Sequence, residues 1–178
     1  RTLATATDSM KSAALMAAAK HLRAAQPEIL EANALDMAEG RAKGLSAAML
    51  DRLLLEADRL AGIAYAVEAV AALKDPVGEV IDETHRPNGL LMQRVRVPVG
   101  VIAIIFESRP NVTSDAAVLC FKSGNATILR GGSEAIHSNR AIAAALQRGG
   151  ERSGLPADSI QLIPFTDRES VKHLAEMD

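Results

Sequence analysis

The sequence predicts an α/β fold in which a helical first part is followed by a β-hairpin and by half of a doubly wound parallel sheet. Three observations support this prediction. Helix-type apolar spacing runs to about residue 75, a strand-turn-strand pattern follows Pro76, and strands alternate with helices from residue 99 onward. We therefore divide the chain into parts 1–75, 76–98 and 99–178.

The first part carries small and apolar residues at helical spacing. Leu15, Ala18 and Leu22 fall on one helix face. Pro27 and Ser46 are placed to open the helices that follow them. The predicted helices end near residue 25 and then cover about 29–39, from 47 onward, and about 59–73.

The rest of the chain reads as strands and crossover helices. Asn88-Gly89 predicts a hairpin between the strands 77–84 and 91–97. The segment 99–106 is apolar on both faces, as a central parallel strand should be. Further strands are predicted over 126–129 and 160–163, and helices over 113–122, 135–147 and after 166.

The last predicted helix ends at Asp178 and has an apolar face that needs a cover. A doubly wound nucleotide fold normally has two halves, and the sequence accounts for one of them. We therefore expect the chain to be a fragment of a longer protein.

Composition excludes several functional classes. Charge is balanced, with 20 basic and 22 acidic residues, and aromatic residues make up 2% of the chain, so a nucleic-acid reader is not indicated. The longest apolar run has eight residues, which is too short for a transmembrane helix. A single cysteine is typical of a reduced compartment, and we expect a cytoplasmic protein.

Ligands of open parallel α/β sheets bind at the carboxyl ends of the strands. Two polar turns qualify, 107–111 and 130–134, and both lead into a helix N-terminus, where anions are favoured. Arg130 offers a forked donor for phosphate, and the Gly131-Gly132 pair allows close backbone approach. The alternative is that both are ordinary surface turns. Neither a G-x-G-x-x-G nor a P-loop motif is present.

Other reactive side chains have simpler interpretations. Cys120 lies in the middle of a predicted helix beside apolar neighbours, so we predict a buried structural thiol. The four histidines are scattered over unrelated elements without metal-ligand spacing, and no metal site is predicted. The helical carboxylates Glu28, Glu31 and Asp36 are interpreted as a solvated face.

Two segments make the sequence specific: FESRPNVT at 106–113 and ILRGGSE at 128–134. Together they resemble the γ-glutamyl phosphate reductases, or glutamate-5-semialdehyde dehydrogenases, of the aldehyde dehydrogenase superfamily. Segments 31–36, 44–53 and 75–78 are similar to the amino-terminal part of the same family, so the resemblance spans essentially all 178 residues.

The resemblance implies an aldehyde-dehydrogenase-like fold, of which this chain holds the amino-terminal helices, hairpin strands and half of a Rossmann-like cofactor sheet. It implies reduction of L-glutamyl 5-phosphate to L-glutamate 5-semialdehyde with NADPH, in proline biosynthesis. The family's nucleophile is a cysteine thiolate, which the resemblance places outside this chain together with the catalytic domain. We therefore expect the 178-residue chain alone to be inactive.

The resemblance also assigns roles to individual residues. Asn111 matches an asparagine whose amide stabilises the oxyanion of the reaction, and Arg130 matches the basic residue that contacts the adenosine ribose. We expect Arg130 to favour NADP(H) over NAD(H). Arg109 is a candidate for holding a substrate phosphate or carboxylate, with a structural pairing to Glu107 as the alternative. The remaining predicted cofactor-binding residues are Gly131, Gly132, Ser133 and Glu134.

Two other functions are compatible with the same motifs. The same motifs would fit the reductase half of a bifunctional pyrroline-5-carboxylate synthase, or a non-catalytic scaffold derived from the family. We expect a homo-oligomer whose substrate could be channelled from a glutamate kinase, with no nucleic-acid or membrane partner.

Overall fold

A computed structural model describes residues 2–107, 109–152 and 156–177 of the chain. The predicted role of Asp178 as the end of the last helix lies outside the described residues. The helices are α1 Asp8–Ala24, α2 Gln26–Ala42, α3 Ala47–Leu53, α4 Ala57–Ala72, α5 Asn111–Lys122, α6 Ile136–Arg152 and α7 Arg168–Ala175. The strands are β1 Val80–His85, β2 Leu91–Val95, β3 Val101–Ile105, β4 Ala126–Arg130 and β5 Ile160–Leu162.

This element order confirms the predicted α/β class. Strands β3, β4 and β5 form a parallel sheet in that order, with α5 and α6 as the connections, while β1 and β2 form a separate antiparallel hairpin. The main apolar core lies where α1 and α4 pack on α5, α6 and β4. The helices of the described residues are all too short or too polar to cross a lipid bilayer.

Helix α2 extends past Glu39, where the sequence suggested an end, and stops at Ala42. Gly40 lies within α2. A Cβ at this position would be 3.0 Å from Leu45 Cδ1, so the glycine permits close packing of the segment that leads into α3. Gly44, with φ of 74°, is the residue that turns the chain after the helix. The prediction that this helix ends at Glu39 was wrong, because Gly40 serves close packing and does not end the helix.

Helix α6 likewise continues past Gln147 and through Gly149. A Cβ on Gly149 would lie 2.3 Å from the Cα of Ala18, so the backbones of α1 and α6 are in direct contact at this point. This glycine is a crossing position and not a helix terminator.

The predicted hairpin is confirmed, although β1 starts at Val80 and not at residue 77. The N–H of Gly89 donates to the carbonyl of Arg86, and the N–H of Arg86 donates to the carbonyl of Leu90, both at 2.9 Å. Gly89 has φ of 85°, as expected for a three-residue loop that ends in a left-handed residue. Both strands are solvent-exposed along their whole length.

Strand β3 differs from its prediction as a central strand. It lies at the edge of the three-stranded sheet, and Val101 and Ile105 are 62% and 50% exposed. Apolar residues on both faces indicate a preference for burial. They do not indicate which part of the molecule buries them. Among the described residues, β3 pairs with β4 on one side and with no strand on the other.

A buried ammonium ties the amino-terminal helix α1 to α5. Lys122 Nζ, almost fully buried, donates to Asp8 Oδ1 at 2.5 Å, to Ser12 Oγ at 2.8 Å and to the carbonyl of Ala71 at 3.0 Å. The hydrogen bond from Lys122 holds the pKa of the Asp8 carboxyl below its ordinary value of 3.8. The end of α5 is thereby fixed to α1 and α4.

The lowered pKa of Asp8 predicts an acid-sensitive contribution to stability. Because the folded state favours the carboxylate, Asp8 stabilises the fold at pH values above 3.8. This contribution is lost as the pH falls through the lower pKa that Asp8 has in the folded protein. We expect Asp8→Asn to reduce the free energy of unfolding near neutral pH and to flatten its fall below pH 3.8. Urea titrations at a series of pH values on both sides of 3.8 measure the free energy of unfolding of the variant and the wild type. Asp58→Asn, at an exposed first-turn position of α4, is the control for removing an acidic side chain and should reduce the free energy of unfolding near neutral pH less than Asp8→Asn does.

Candidate functional site

Three cavities lie at the carboxyl ends of β3 and β4. The amide cavity, of about 330 Å³, has a lining that includes Arg52, Leu55, Arg59, Pro110, Asn111 and Asp115. The guanidinium cavity, of about 140 Å³, is lined by Arg52, Glu107, Arg109 and Val112. The loop cavity, of about 670 Å³, has a lining that includes Glu107, Arg130, Gly132, Ser133, Glu134 and Thr166. The first and second cavities share Arg52, and the second and third share Glu107, so the three cavities are neighbours.

Asn111 is the first residue of α5, two positions before the predicted start of this helix. Pro110 already has helical backbone angles, with φ of −59°, and so lets the helix begin earlier. Asn111 Nδ2 donates to Asp115 Oδ2 at 2.8 Å, one turn further along. This bond orients the amide, and its second N–H has no acceptor among the described residues. Asp115 was missed, although i,i+4 amide-carboxylate spacing could have indicated it.

Arg109 is exposed in the turn between β3 and α5. Its backbone N–H donates to the carbonyl of Glu107 at 2.7 Å, but its guanidinium makes no ion pair with Glu107 or with any other described residue. The alternative of a structural Arg109–Glu107 pair is therefore contradicted. Arg52, which shares the guanidinium cavity, was not predicted as a site residue.

Arg130 ends β4 and reaches across to the segment that precedes α7. Its Nη2 donates to the carbonyls of Thr166 at 2.6 Å and Asp167 at 3.1 Å. Its Nε is buried without a hydrogen-bond partner among the described residues. One arm of the guanidinium thus holds the segment before α7, while the buried Nε–H makes no hydrogen bond within the described residues.

The two loop glycines have different surroundings. A Cβ on Gly131 would lie 2.2 Å from Asn139 Nδ2 and 3.2 Å from Phe106, so this residue is required by packing against α6 and β3. A Cβ on Gly132 would instead point toward the loop cavity and meet the flexible carboxylate of Glu134 at 2.5 Å. Gly132, and not Gly131, is therefore the position where the backbone borders the cavity.

The N-terminus of α6 is capped by a carboxylate from α2. Asp36 accepts hydrogen bonds from the backbone N–H groups of His137 at 3.1 Å and Ser138 at 2.7 Å, and from Ser138 Oγ at 2.6 Å. Asp36 is 1% exposed, so its interpretation as part of a solvated face was wrong. The backbone N–H groups of His137 and Ser138 are therefore already satisfied by Asp36.

Cys120 is buried in α5, as predicted, and burial raises the pKa of its thiol. A raised thiol pKa disfavours the nucleophilic thiolate. No group of three or more His, Cys, Asp or Glu side chains suited to a metal ion occurs within 2–107, 109–152 and 156–177.

The chain is similar to known proteins in sequence and in structure. No family model matches the chain. The γ-glutamyl phosphate reductase of Novosphingobium aromaticivorans is 64% identical over 171 residues, which make up 96% of this chain and 40% of that protein. The crystal structure of the Thermotoga maritima enzyme of the same name superimposes with a TM-score of 0.94 at 44% identity, covering 97% of this chain and 42% of that one.

The chain is similar to γ-glutamyl phosphate reductases over almost its whole length. It spans about 40% of the length of the curated relatives it matches. The NAD-dependent benzaldehyde dehydrogenase of Corynebacterium glutamicum matches with a TM-score of 0.71 at 18% identity over 97% of this chain. At that identity the likeness shows the fold alone, and it confirms the predicted aldehyde-dehydrogenase-like architecture of this chain.

Proposed function

We propose that the full-length protein reduces L-glutamyl 5-phosphate to L-glutamate 5-semialdehyde with NADPH, as a step of proline biosynthesis in the cytoplasm. The observation that supports this proposal is the set of three neighbouring cavities, whose linings hold in turn the Asn111 amide, the Arg109 guanidinium and the Arg130 loop. This order matches a reaction in which an acyl group, its phosphate and a dinucleotide must meet.

The loop cavity fits the adenosine end of a nicotinamide dinucleotide, which supplies the hydride when bound. The buried Nε–H of Arg130 is an unused donor, and Gly132 lines the same cavity beside the flexible Glu134 carboxylate. Glu107 and Glu134 lie in the same lining and are assigned as acceptors for the ribose 3′-hydroxyl, which stays free in NADP(H). We assign the remaining N–H groups of Arg130 to the 2′-phosphate of NADP(H).

The amide cavity fits the reacting carbonyl. Asp115 fixes the Asn111 amide, and the free N–H of Asn111 is suited to donate to an oxygen that gains negative charge. The thiolate nucleophile belongs to another part of the protein in this proposal, so the isolated 178-residue chain is inactive. The full-length protein acts as a homo-oligomer that receives its acyl phosphate from a glutamate kinase.

Oxidation of glutamate 5-semialdehyde by the full-length protein tests the proposed reaction in reverse. We expect NADP⁺ reduction that requires both the semialdehyde and inorganic phosphate. Semialdehyde oxidation without any need for phosphate would indicate an ordinary aldehyde dehydrogenase. Absence of turnover from a folded full-length protein would favour a non-catalytic scaffold.

Removal of the Arg130 guanidinium should change cofactor preference. We expect Arg130→Ala to weaken NADPH binding about 10- to 100-fold, because a charge-assisted hydrogen bond contributes roughly 1.5–3 kcal/mol. Binding of NADH, which lacks the 2′-phosphate, should change much less. Fluorescence titration of both dinucleotides at fixed ionic strength measures the two affinities.

Arg140→Ala is the matched control for Arg130→Ala. Arg140 also donates to a carbonyl of the segment before α7, that of Pro164 at 2.6 Å, but it does not line the loop cavity. If Arg130→Ala weakened NADPH and NADH equally, Arg130 would act only through its bonds to Thr166 and Asp167. That result would remove the 2′-phosphate assignment.

A further inference from the structure

We propose that Arg52 and Arg109 together bind the phosphoryl group of the acyl phosphate in the guanidinium cavity. This inference rests on the proposed function and adds Arg52, from the helical part of the chain, to the substrate site. It also identifies which of the substrate's anionic groups the cavity receives.

Arg52 and Arg109 are unpaired within the described residues, whereas the neighbouring Arg59 makes three hydrogen bonds. Arg59 donates to the carbonyls of Asp51 at 2.5 Å and Leu54 at 3.1 Å, and to Asp51 Oδ1 at 2.7 Å. Arg59 therefore serves the structure of the α3–α4 connection. Arg52 and Arg109 face one small cavity with all their guanidinium donors unused.

The backbone that carries Arg52 is held firmly. The adjacent Leu53 is completely buried, and its carbonyl accepts from Asn33 Nδ2 at 2.8 Å. Asn33 Oδ1 accepts in turn from the N–H of Leu55 at 2.8 Å, and Asn33 is itself buried. A side chain that extends from so fixed a segment reaches the cavity with little loss of backbone entropy when a ligand binds.

The charge and size of the guanidinium cavity suit a phosphoryl group. Two guanidinium groups and the Glu107 carboxylate leave one net positive charge in the lining. The volume of about 140 Å³ has room for roughly four water molecules, which is comparable to a tetrahedral oxyanion. Guanidinium forks match the paired oxygens of phosphate in geometry as well as charge.

The position of the cavity distinguishes the phosphoryl group from the α-carboxylate of the substrate. Arg52 lines both the guanidinium cavity and the amide cavity that holds Asn111. An anion held by Arg52 is therefore next to the carbonyl that Asn111 would receive. In a glutamyl phosphate the phosphoryl oxygen is bonded directly to that carbonyl carbon, whereas the α-carboxylate is at the opposite end of the chain.

Inorganic phosphate, the co-substrate of the reverse reaction, is the probe for this site. We expect calorimetric titration of the full-length protein to show phosphate binding about 10- to 100-fold weaker in Arg52→Gln and in Arg109→Gln than in wild type. Arg52→Lys, which keeps the charge without the fork, should lose less affinity. Arg41→Gln removes the same charge from the last turn of α2, outside the three cavities, and should leave phosphate binding unchanged.

Steady-state kinetics in the reverse direction provides the second readout. The KM for phosphate should rise in Arg52→Gln by the factor seen in calorimetry, while the KM for the semialdehyde is unchanged. A rise in the semialdehyde KM instead, or phosphate binding equal to wild type, would overturn the inference. Arg52-dependent phosphate binding in a protein without reductase activity would retain the phosphate site and reject the proposed function.

Discussion

Asn111→Ala in the full-length protein should lower kcat about 10²–10³-fold, the usual effect of losing one oxyanion donor. The expectation follows from the geometry of the amide, since Asp115 accepts from one N–H at 2.8 Å and the other is free at the amide cavity. The dissociation constant of NADPH should be nearly unchanged, because the loop cavity contains no part of Asn111. Single-turnover kinetics and fluorescence titration measure the two quantities.

Two further variants make the Asn111 experiment specific. Asn88→Ala is the same substitution in the exposed hairpin turn and should leave kcat unchanged. Asp115→Asn keeps an oxygen acceptor for the Asn111 amide and should reduce kcat much less than Asn111→Ala does. If Asn111→Ala weakened NADPH binding and spared turnover, the residue would belong to the cofactor site and the oxyanion role would be wrong.

Gly149→Ala should be the most destabilising single-methyl change that the α1–α6 contact allows. The added Cβ would lie 2.3 Å from the Cα of Ala18 and 2.6 Å from its N, and neither backbone atom can move without shifting a helix. We expect a loss in the upper part of the ~1–3 kcal/mol range typical of overpacking. Chemical denaturation of the full-length protein measures this loss.

Gly150→Ala is the matched control at the next position of the same helix. A Cβ on Gly150 would meet no heavy atom within 4 Å. Alanine there should stabilise the fold by about 0.4–1 kcal/mol, because it restricts the unfolded chain and favours helix. Equal effects of the two substitutions, in either direction, would contradict direct backbone contact between α1 and α6.

Local signals predicted much of this fold. Ser46 caps α3 by accepting from the N–H of Met49 at 3.3 Å, and Asn88-Gly89 forms the hairpin loop. The alternation of strand and helix patterns after residue 99 predicted the parallel sheet, since each strand and each helix there has its own periodicity. Gly40 and Gly149 misled because a glycine that permits close helix packing has the same sequence signal as a glycine that ends a helix.

The site was predictable only where its residues are neighbours in sequence. Asn111 and Arg109 fall in one turn after β3, and Arg130 falls in the corresponding turn after β4. The cap formed by Asp36 and the proposed role of Arg52 were missed because both depend on residues distant in sequence. Asp36 meets Ser138 across 102 positions, and Arg52 reaches the turn after β3 only because α3 packs beside it. Neither has a local pattern that distinguishes it from a surface charge.

A crystal structure of the full-length protein with NADP⁺ tests the central claim most directly. That claim is that the carboxyl ends of β3 and β4 form the cofactor and substrate site. We predict the adenosine end in the loop cavity, its 2′-phosphate within about 3 Å of Arg130 Nε and its ribose beside Glu134. Dinucleotide density away from the Gly132–Glu134 loop, with the Arg130 Nε–H still unpaired, would contradict it.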